Sequence, residues 1–238
     1  IYEPFPEEVM RQMTSRVAEL HFAPTDKNKQ ALLKENIDEK KIHVVGNTVI
    51  DALFCLSEST MKQAEGFYSE QGINIDDKLV LITAHRRENI GEPMRRIFRA
   101  ILRLVNENPD VKAIYPVHLN PAVRSIAREE LGSCDRIKLC DPLNAIDFHN
   151  IMDKSYIILT DSGGIQEEAP SLNKPVLVLR DTTERQEGVE AGVLKLIGTS
   201  EENIYNACTE LLNNREEYND MINRSNPYGD GFASKRIA

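Results

Sequence analysis

Six short apolar runs alternate with amphipathic stretches between Leu79 and Ile197, and this alternation limits the fold more than any other feature of the sequence. Apolar strands separated by helical patterns are typical of a parallel sheet whose strands are joined by crossover helices. We therefore predict an α/β fold built on a doubly wound, Rossmann-like parallel sheet. The predicted strands are Leu79–Thr83, Val111–Tyr115, Arg136–Leu139, Tyr156–Thr160, Pro175–Leu179 and Val193–Ile197.

The residues before this alternation follow a different pattern. Their predicted elements are a helix over Pro6–Leu20, a strand at His21–Ala23, a helix over Thr25–Glu35, a strand at Ile42–Val45 and a helix from Asn47 to Leu56. A Rossmann-like unit begins with a strand, so we interpret residues 1–63 as the remnant of an amino-terminal domain, with its connecting helix, whose first half is largely missing. Residues 64–224, which open on the polar connection Ala64–Asp77, form the predicted second Rossmann-like domain, and residues 225–238 are expected to return towards the first.

Charge and composition argue against several classes of protein. The chain has 29 basic and 38 acidic residues and a net charge of −9, whereas a general nucleic-acid binder needs a basic face. No apolar run approaches the roughly 20 residues that cross a bilayer, and residues 1–6 lack a secretory signal, so we expect a cytoplasmic protein without membrane association. The cysteines have no CxxC pairing and no metal motif, and we expect reduced core thiols at Cys55, Cys134, Cys140 and Cys208.

Polar loops follow the first and the fourth predicted strands. In an open parallel sheet with the strand order 3-2-1-4-5-6, these two strands flank the crevice where ligands bind. HRREN, residues 85–89, follows the first strand, and DSGG, residues 161–164, follows the fourth. Guanidinium groups suit phosphate and imidazole exchanges protons near neutrality, while glycines at a helix start let backbone N–H groups approach an anion. We therefore predict that both loops converge on one anion-binding site.

Each loop also has a plain structural interpretation. A turn explains the serine and two glycines of DSGG about as well as a phosphate cradle does, and a mutually paired, solvated loop could explain HRREN. Polar residues at two further strand ends, His118 and Arg180, favour a site. The GxGxxG spacing of a nicotinamide site and the lysine of a P-loop are missing, so neither NAD binding nor ATP hydrolysis is indicated. Of the remaining histidines, we expect strand core or edge positions for His21 and His43 and a helix surface for His149.

Eight segments together resemble one family, the non-hydrolysing UDP-N-acetylglucosamine 2-epimerases, whose fold is similar to that of the two-domain GT-B glycosyltransferases. The matching runs span Pro4 to Gly231 and are PFPEEVMRQ, HFAPT, GNTVIDAL, HRRENIG, YPVHLNP, TDSGGIQEEAP, TERQEGVEAG and NPYGDG. The resemblance begins partway through the family pattern. The family's amino-terminal glycine-rich loop and two of its catalytic carboxylates have no counterpart in this sequence.

The resemblance implies an isomerase that interconverts UDP-N-acetylglucosamine and UDP-N-acetylmannosamine without a cofactor or a metal. UDP is eliminated to give a 2-acetamidoglucal and is re-added with the configuration at carbon 2 inverted, in the service of cell-surface polysaccharide synthesis. Such chemistry needs acid and base groups at the sugar and a site that stabilises the departing diphosphate. The implied partners are the UDP-sugar substrate, a second UDP-N-acetylglucosamine as regulator and a second copy of the protein in a homodimer.

The same resemblance implies roles for individual residues. Glu7 matches a catalytic glutamate, and His85 matches a histidine that helps UDP to leave. The implied UDP contacts are Ser162, Gly163 and Gly164 at the diphosphate, Glu168 at the ribose hydroxyls and Phe148 beside the uracil. Further substrate or regulatory contacts are expected at Arg11, Arg86, His118 and Arg180. Arg11 lies one helical turn after Glu7, where an ion pair between the two is the plain structural alternative.

Two other functions stay open. A hydrolysing relative would release free N-acetylmannosamine and UDP, whereas a nucleotide-sugar binding module would bind UDP without turnover. Exchange of the carbon-2 hydrogen with solvent distinguishes the module from both enzymes, and free sugar as a product marks the hydrolysing one. Because two of the family's carboxylates have no counterpart, we expect the chain alone to be an inactive fragment that still binds UDP.

Overall fold

A computed structural model describes residues 5–55, 72–74 and 77–238. The chain divides into two compact units, which we call the amino-terminal unit, Ile1–Ala52 with Tyr228–Ala238, and the sheet unit, Leu53–Pro227. The interpretation of residues 1–63 as part of a further Rossmann-like domain stays a prediction. The predicted helix end at Leu56 lies outside the described residues, and so does most of the predicted connection, Ala64–Asp77.

The amino-terminal unit begins with two short helices and a two-stranded parallel sheet. Its elements are α1 (Glu7–Val17), β1 (His21–Ala23), α2 (Asp26–Lys34), β2 (Ile42–Val44) and the first part of α3, which is helical from residue 48 to residue 55 and continues past Ala52 as the start of the sheet unit. In the sheet, His21 lies opposite Ile42 and Ala23 opposite Val44. Helix α2 starts after Thr25, whose hydroxyl accepts the N–H of Asn28 at 3.2 Å and so caps the helix. The predicted order of helices and strands is therefore confirmed.

The sheet unit alternates strands and helices along its length. Its strands are β3 (Lys78–Thr83), β4 (Val111–Pro116), β5 (Ile137–Cys140), β6 (Ile157–Thr160), β7 (Val176–Val178) and β8 (Leu194–Leu196). Its helices are α4 (Glu92–Glu107), α5 (Pro121–Leu131), α6 (Ala145–Lys154), α7 (Gly163–Glu168), α8 (Gln186–Glu190), α9 (Glu201–Asn213) and α10 (Arg215–Ile222). All strand pairs are parallel, in the order β5-β4-β3-β6-β7-β8. This is the predicted doubly wound sheet, with the first and fourth predicted strands adjacent.

Both faces of this sheet are buried, as a parallel sheet covered by crossover helices requires. On β3, Val80 and Ile82 pack into a cluster with residues of α4 such as Phe98. The alternate residues Leu79 and Leu81 point to the other face and pack into a second cluster with residues of α6 and β6. The near-continuous apolar runs of the sequence follow from this two-sided burial.

The carboxy-terminal segment belongs to the amino-terminal unit and ends in α11 (Ala233–Ile237). The Asp51 carboxylate accepts the backbone N–H groups of Ala233 at 3.1 Å and Ser234 at 2.7 Å, at the start of this helix. The backbone N–H of Asn47 also donates to the carbonyl of Tyr228 at 2.8 Å. These bonds fasten the segment to the first turns of α3.

Two predictions about single side chains were wrong. Cys55 is exposed, so it is not a core thiol, whereas Cys208 is buried and Cys134 and Cys140 are partly buried; none of these four described cysteines forms a disulfide. His149 is 8% exposed, so it lies inside the sheet unit and not on its surface. Burial lowers the pKa of His149, because a charged imidazole is disfavoured away from water.

Candidate functional site

The two predicted loops meet where the strand order reverses. Strands β3 and β6 are neighbours, and their last residues, Thr83 and Thr160, lie opposite each other. Their hydroxyl oxygens are 2.5 Å apart in the buried end of the sheet. The loop after β3 and the loop after β6 therefore start side by side, at the carboxyl edge where ligands of doubly wound sheets bind.

The Asp161 carboxylate binds these two loops together. It is fully buried, and its Oδ2 accepts the backbone N–H groups of His85 and Arg86, each at 2.9 Å. The same oxygen accepts the Asn89 side-chain amide at 3.0 Å, and that amide also donates to the carbonyl of Leu179 at 3.2 Å after β7. Asp161 was not predicted as a site residue. Its position directly after the fourth apolar run was the available signal.

A cleft of about 210 Å³ opens at the junction of these two loops. Its lining includes four of the predicted site residues: His85, His118, Phe148 and Ser162. The rings of His85 and His118 are stacked, with centroids 5.4 Å apart and planes 11° apart. Apolar side chains, including that of Leu143, complete the lining. The cleft therefore combines an apolar wall with imidazoles and a hydroxyl, a composition typical of sites for aromatic, polar ligands.

Helix α7 begins at the rim of this cleft with the two predicted glycines. Ser162 precedes the helix, and its backbone N–H donates to Thr160 Oγ1 at 3.0 Å. A Cβ on Gly163 would lie 3.2 Å from the guanidinium carbon of Arg185, so this arginine rests against the start of the helix. Arg185 is held there by Glu167, whose Oε1 accepts its Nε at 2.8 Å. Arg185 was not predicted as a site residue, although the matching run TERQEGVEAG contains it.

Glu168, at the end of α7, is partly buried beside Gly164. A Cβ on Gly164 would lie 3.4 Å from the Glu168 Oε1, which places this carboxyl close to the start of the helix. Burial, followed by repulsion from Glu167, raises the pKa of Glu168 to about 7. Within the described residues the carboxyl has no hydrogen bond or ion pair of its own. It is therefore available to accept hydrogen bonds from a ligand's hydroxyl groups.

Arg86 and Arg180 share an acidic neighbour. The Nε of Arg86 donates to the carbonyl of Asp161 at 3.2 Å, and its Nη2 lies 3.9 Å from Glu184. Arg180 pairs with the same glutamate at 2.7 Å and lies 3.8 Å from Glu88. Arg180 lines an open surface groove along β8 and α9 and does not line the cleft. The two arginines therefore differ in position. Arg86 is bonded to the backbone of Asp161, where the two loops meet, whereas Arg180 faces the groove.

Glu7 and Arg11 lie on α1 in the amino-terminal unit. Arg11 pairs with Glu8, whose Oε1 is 2.7 Å from its Nη2, and with Glu35, which directly follows α2. The predicted alternative of an ion pair between Arg11 and Glu7 is therefore wrong. The hydrogen bond from Arg11, with a further one from Gln12, lowers the pKa of Glu8 to about 2.

No group of three or more His, Cys, Asp or Glu side chains that could hold a metal ion occurs in residues 5–55, 72–74 and 77–238. Across the same ranges, the helices include none with the length and apolar character that a membrane span requires.

Comparisons with known proteins find relatives along the whole chain. The family model described as UDP-N-acetylglucosamine 2-epimerase matches residues 1–238. The chain is 58% identical over 238 residues to the UDP-N-acetylglucosamine 2-epimerase of Bacillus subtilis (strain 168), and the match covers 99% of this chain and 61% of that protein. The chain thus spans less than two thirds of the length of eight curated relatives, from 61% to 64% of each.

Solved structures give the same result. A UDP-GlcNAc 2-epimerase from Neisseria meningitidis, bound to UDP-GlcNAc, matches with a TM-score of 0.92 and 47% identity, over 99% of this chain and 64% of that one. A co-structure of S. aureus MnaA with UDP matches with a TM-score of 0.90 and 53% identity, over 99% and 63%. These similarities agree with the α/β fold and the parallel sheet described above.

Proposed function

The chain belongs to the UDP-N-acetylglucosamine 2-epimerase family, and from this premise we propose that it binds UDP-sugars and takes part in interconverting UDP-N-acetylglucosamine and UDP-N-acetylmannosamine. One observation carries the proposal. A single cleft at the reversal of the strand order contains His85, Phe148 and Ser162, to which the family resemblance assigns catalysis and UDP binding, and His118, to which it assigns a substrate or regulatory contact. Relatives whose solved structures contain UDP-GlcNAc or UDP support the choice of ligand.

UDP recognition can be divided among the groups around the cleft. Phe148 and its apolar neighbours offer a surface on which a uracil ring can stack. Ser162, Gly163 and Gly164 offer a hydroxyl and backbone N–H groups to the diphosphate, and the guanidinium of Arg185 lies against Gly163 as a counter-charge. Glu168, whose carboxyl lies beside Gly164, accepts the ribose hydroxyls.

The reaction itself consists of an elimination and its reversal. A base removes the proton from carbon 2, its electron pair forms the double bond to carbon 1, and the bond from carbon 1 to the UDP oxygen breaks. Addition of UDP to carbon 1, with a proton delivered to the opposite face of carbon 2, gives the epimer. We assign the leaving diphosphate to His85, because an imidazole can stabilise or protonate the departing oxygen. Glu7 is the proposed catalytic carboxylate of α1.

The remaining assignments concern regulation and context. Arg86 and His118 are proposed contacts for a second, regulatory UDP-N-acetylglucosamine, with Arg11 as a further substrate or regulatory contact. Arg180 is proposed as such a contact too, although it would have to exchange its pairing with Glu184 for a ligand. We further propose a cytoplasmic homodimer whose product enters cell-surface polysaccharide synthesis and which uses no cofactor.

Titration calorimetry with UDP on the 238-residue chain tests the binding site. We expect one UDP per chain. Phe148→Ala should weaken binding by about five- to hundredfold, because stacking of one base on an aromatic ring contributes roughly 1–3 kcal/mol. Phe22→Ala in the amino-terminal unit serves as the matched control and should leave the affinity unchanged. A folded chain that gives no heat with UDP would contradict the proposal.

Turnover is tested separately with UDP-N-acetylglucosamine in D2O, in a protein that carries this sequence at the full length of its relatives. Deuterium at carbon 2 together with UDP-N-acetylmannosamine supports the epimerase. Free N-acetylmannosamine would instead indicate the hydrolysing enzyme, and UDP binding without any deuterium exchange would indicate a binding module.

A further inference from the structure

The buried carboxylate of Asp161 has two oxygens in very different surroundings. Its Oδ2 accepts three N–H groups, from the backbones of His85 and Arg86 and from the side chain of Asn89. Its Oδ1 is equally buried and accepts no hydrogen bond from the described residues. A buried anionic oxygen without a donor is costly, so this unused oxygen calls for an explanation.

The nearby imidazole of His85 supplies that explanation. Its Nδ1 lies 3.4 Å from the Asp161 Oδ1, within ion-pair distance but longer than a normal hydrogen bond. Catalytic hydrogen bonds are often long before a ligand binds and shorten in its complex. The ring is also stacked on His118, which limits its rotation out of this orientation. The ring is therefore in contact with Asp161, which follows β6, and with His118, which follows β4.

A histidine whose Nδ1 faces a carboxylate carries its proton on that nitrogen, which leaves Nε2 to act on a ligand. We propose that Asp161 is a positioning residue: its Oδ2 anchors the loop after β3, and its Oδ1 accepts the Nδ1 proton of His85 and thereby fixes the ring's tautomer. The inference rests on the proposed function, since it specifies Nε2 as the atom of His85 that takes up a proton from solvent and donates it to the departing UDP oxygen, while the Nδ1 proton stays on the Asp161 side of the ring.

Mutation can separate the two proposed roles of Asp161, which are to hold the loop after β3 and to fix the tautomer of His85. Asp161→Asn keeps a carbonyl oxygen that can accept the loop N–H groups, but it presents an amide N–H to the His85 Nδ1. That nitrogen must then accept, so the proton moves to Nε2. Asn89→Ala removes one donor to Oδ2 and leaves Oδ1 and the imidazole unchanged, which makes it the control for a loosened loop.

The test is NMR spectroscopy of isotope-labelled histidine in the 238-residue chain, at a pH roughly two units above the ordinary imidazole pKa of about 6.5. The ring-nitrogen shifts of His85 report which nitrogen carries the proton. We expect Nδ1 to be protonated in the wild type and in Asn89→Ala. In Asp161→Asn, we expect the tautomer ratio to change by at least about tenfold in favour of protonated Nε2, as loss of a charge-assisted hydrogen bond implies.

The outcomes are distinguishable. A wild-type spectrum with protonated Nε2 would overturn the inference even if the Asp161→Asn variant does not fold, and so would an unchanged tautomer in that variant. Equal tautomer changes in Asp161→Asn and Asn89→Ala would also overturn it, because they would show that Asp161 acts only through the loop. UDP titration of the same samples is independent: the expected tautomers without UDP binding would support the Asp161–His85 pairing and count against the proposed function.

Discussion

The amino-terminal unit and the sheet unit contain similar apolar patterns but bury them to different extents. In α4 of the sheet unit, Ile97 and Ile101 are fully buried against the sheet. In α1 of the amino-terminal unit, Met10, Met13 and Val17 have comparable helical spacing, yet they are 59%, 62% and 85% exposed. The spacing of apolar residues therefore predicts the helix in both cases, whereas burial depends on whether another element packs on that face.

The candidate site residues show the same difference between the two units. In the sheet unit, residues from four strand ends meet at the cleft, because parallel strands bring their carboxyl ends to one edge. In the amino-terminal unit, Glu7 and Arg11 stand on a helix whose apolar face is largely exposed. The sheet unit thus contains a preformed cleft, and we expect mutations to disturb its packing much more than that of the amino-terminal unit.

The largest expected effect is a loss of stability on removing a buried ring. Phe98→Ala in the core of the sheet unit should lower the free energy of unfolding by about 3–5 kcal/mol, since Phe98 is fully buried. Phe22→Ala in β1 should cost less than about 1 kcal/mol, because that ring is 43% exposed. Urea unfolding followed by circular dichroism measures both. Equal losses of unfolding free energy in the two variants would show that the rings are packed equally well, which would contradict the difference in burial between the two units.

The second effect concerns ligand binding. At pH 8, above its raised pKa of about 7, Glu168 is ionised. Glu168→Gln should then weaken UDP binding by about ten- to hundredfold, because hydrogen bonds to a charged group contribute roughly 1.5–3 kcal/mol. Glu19→Gln, at an exposed glutamate of the amino-terminal unit, is the control and should not alter the titration. Wild-type affinity in Glu168→Gln would remove this residue from the ribose site.

A third, smaller effect is a pH dependence of stability. The pKa of Glu168 is about 7 in the folded chain against an ordinary value of 4.5. Below that ordinary value both states are protonated. As the pH rises from there to about 7 the unfolded chain loses its proton first, so stability falls and then levels off. Glu168→Gln should flatten this fall, whereas Glu216→Gln, at an exposed glutamate, should retain it. Urea unfolding across this pH range measures the difference, and parallel curves for the wild type and Glu168→Gln would contradict the assignment.

The smallest effect compares one ion-paired arginine from each unit. Arg11→Gln should cost less than about 1 kcal/mol, and added salt should reduce the loss, because the guanidinium of Arg11 is exposed to water and ions. Arg103→Gln should cost more, since Arg103 pairs with Glu107 and Glu202 and also lies 3.8 Å above the ring of Tyr205. Urea unfolding at low and high salt measures which of the two variants loses more stability. The reverse order would mean that the pairs of α1 are the stronger ones.

Topology accounts for what could be predicted from the sequence. Near-continuous apolar runs such as LVLIT are typical of strands buried on both faces, and this pattern predicted all six strands of the sheet. The common strand order of doubly wound sheets then predicted that the loops at His85 and Ser162 would meet, and both line the same cleft. These inferences need only local pattern and general rules of sheet connection.

Contacts between distant side chains could not be predicted in this way. The bond from Asn89 to Asp161 joins residues 72 positions apart, and the placement of Arg185 against Gly163 depends on the path of the chain after β7. The position of Arg180 was also not predictable, because its ion pair with Glu184 holds it at the groove instead of the cleft. The burial of His149 was missed because α6 buries four consecutive residues, from His149 to Met152, which no single-faced helical pattern predicts.

The most direct test of the central claim is an amide NMR titration of the 238-residue chain with UDP. If the cleft at the strand reversal binds UDP, the shifts of His85, Ser162 and Ile165, which line it, should change with one saturating dependence on UDP concentration. The resonances of α1 and α2 should stay in place. Shift changes confined to the amino-terminal unit, or no changes at saturating UDP in a folded sample, would contradict the account.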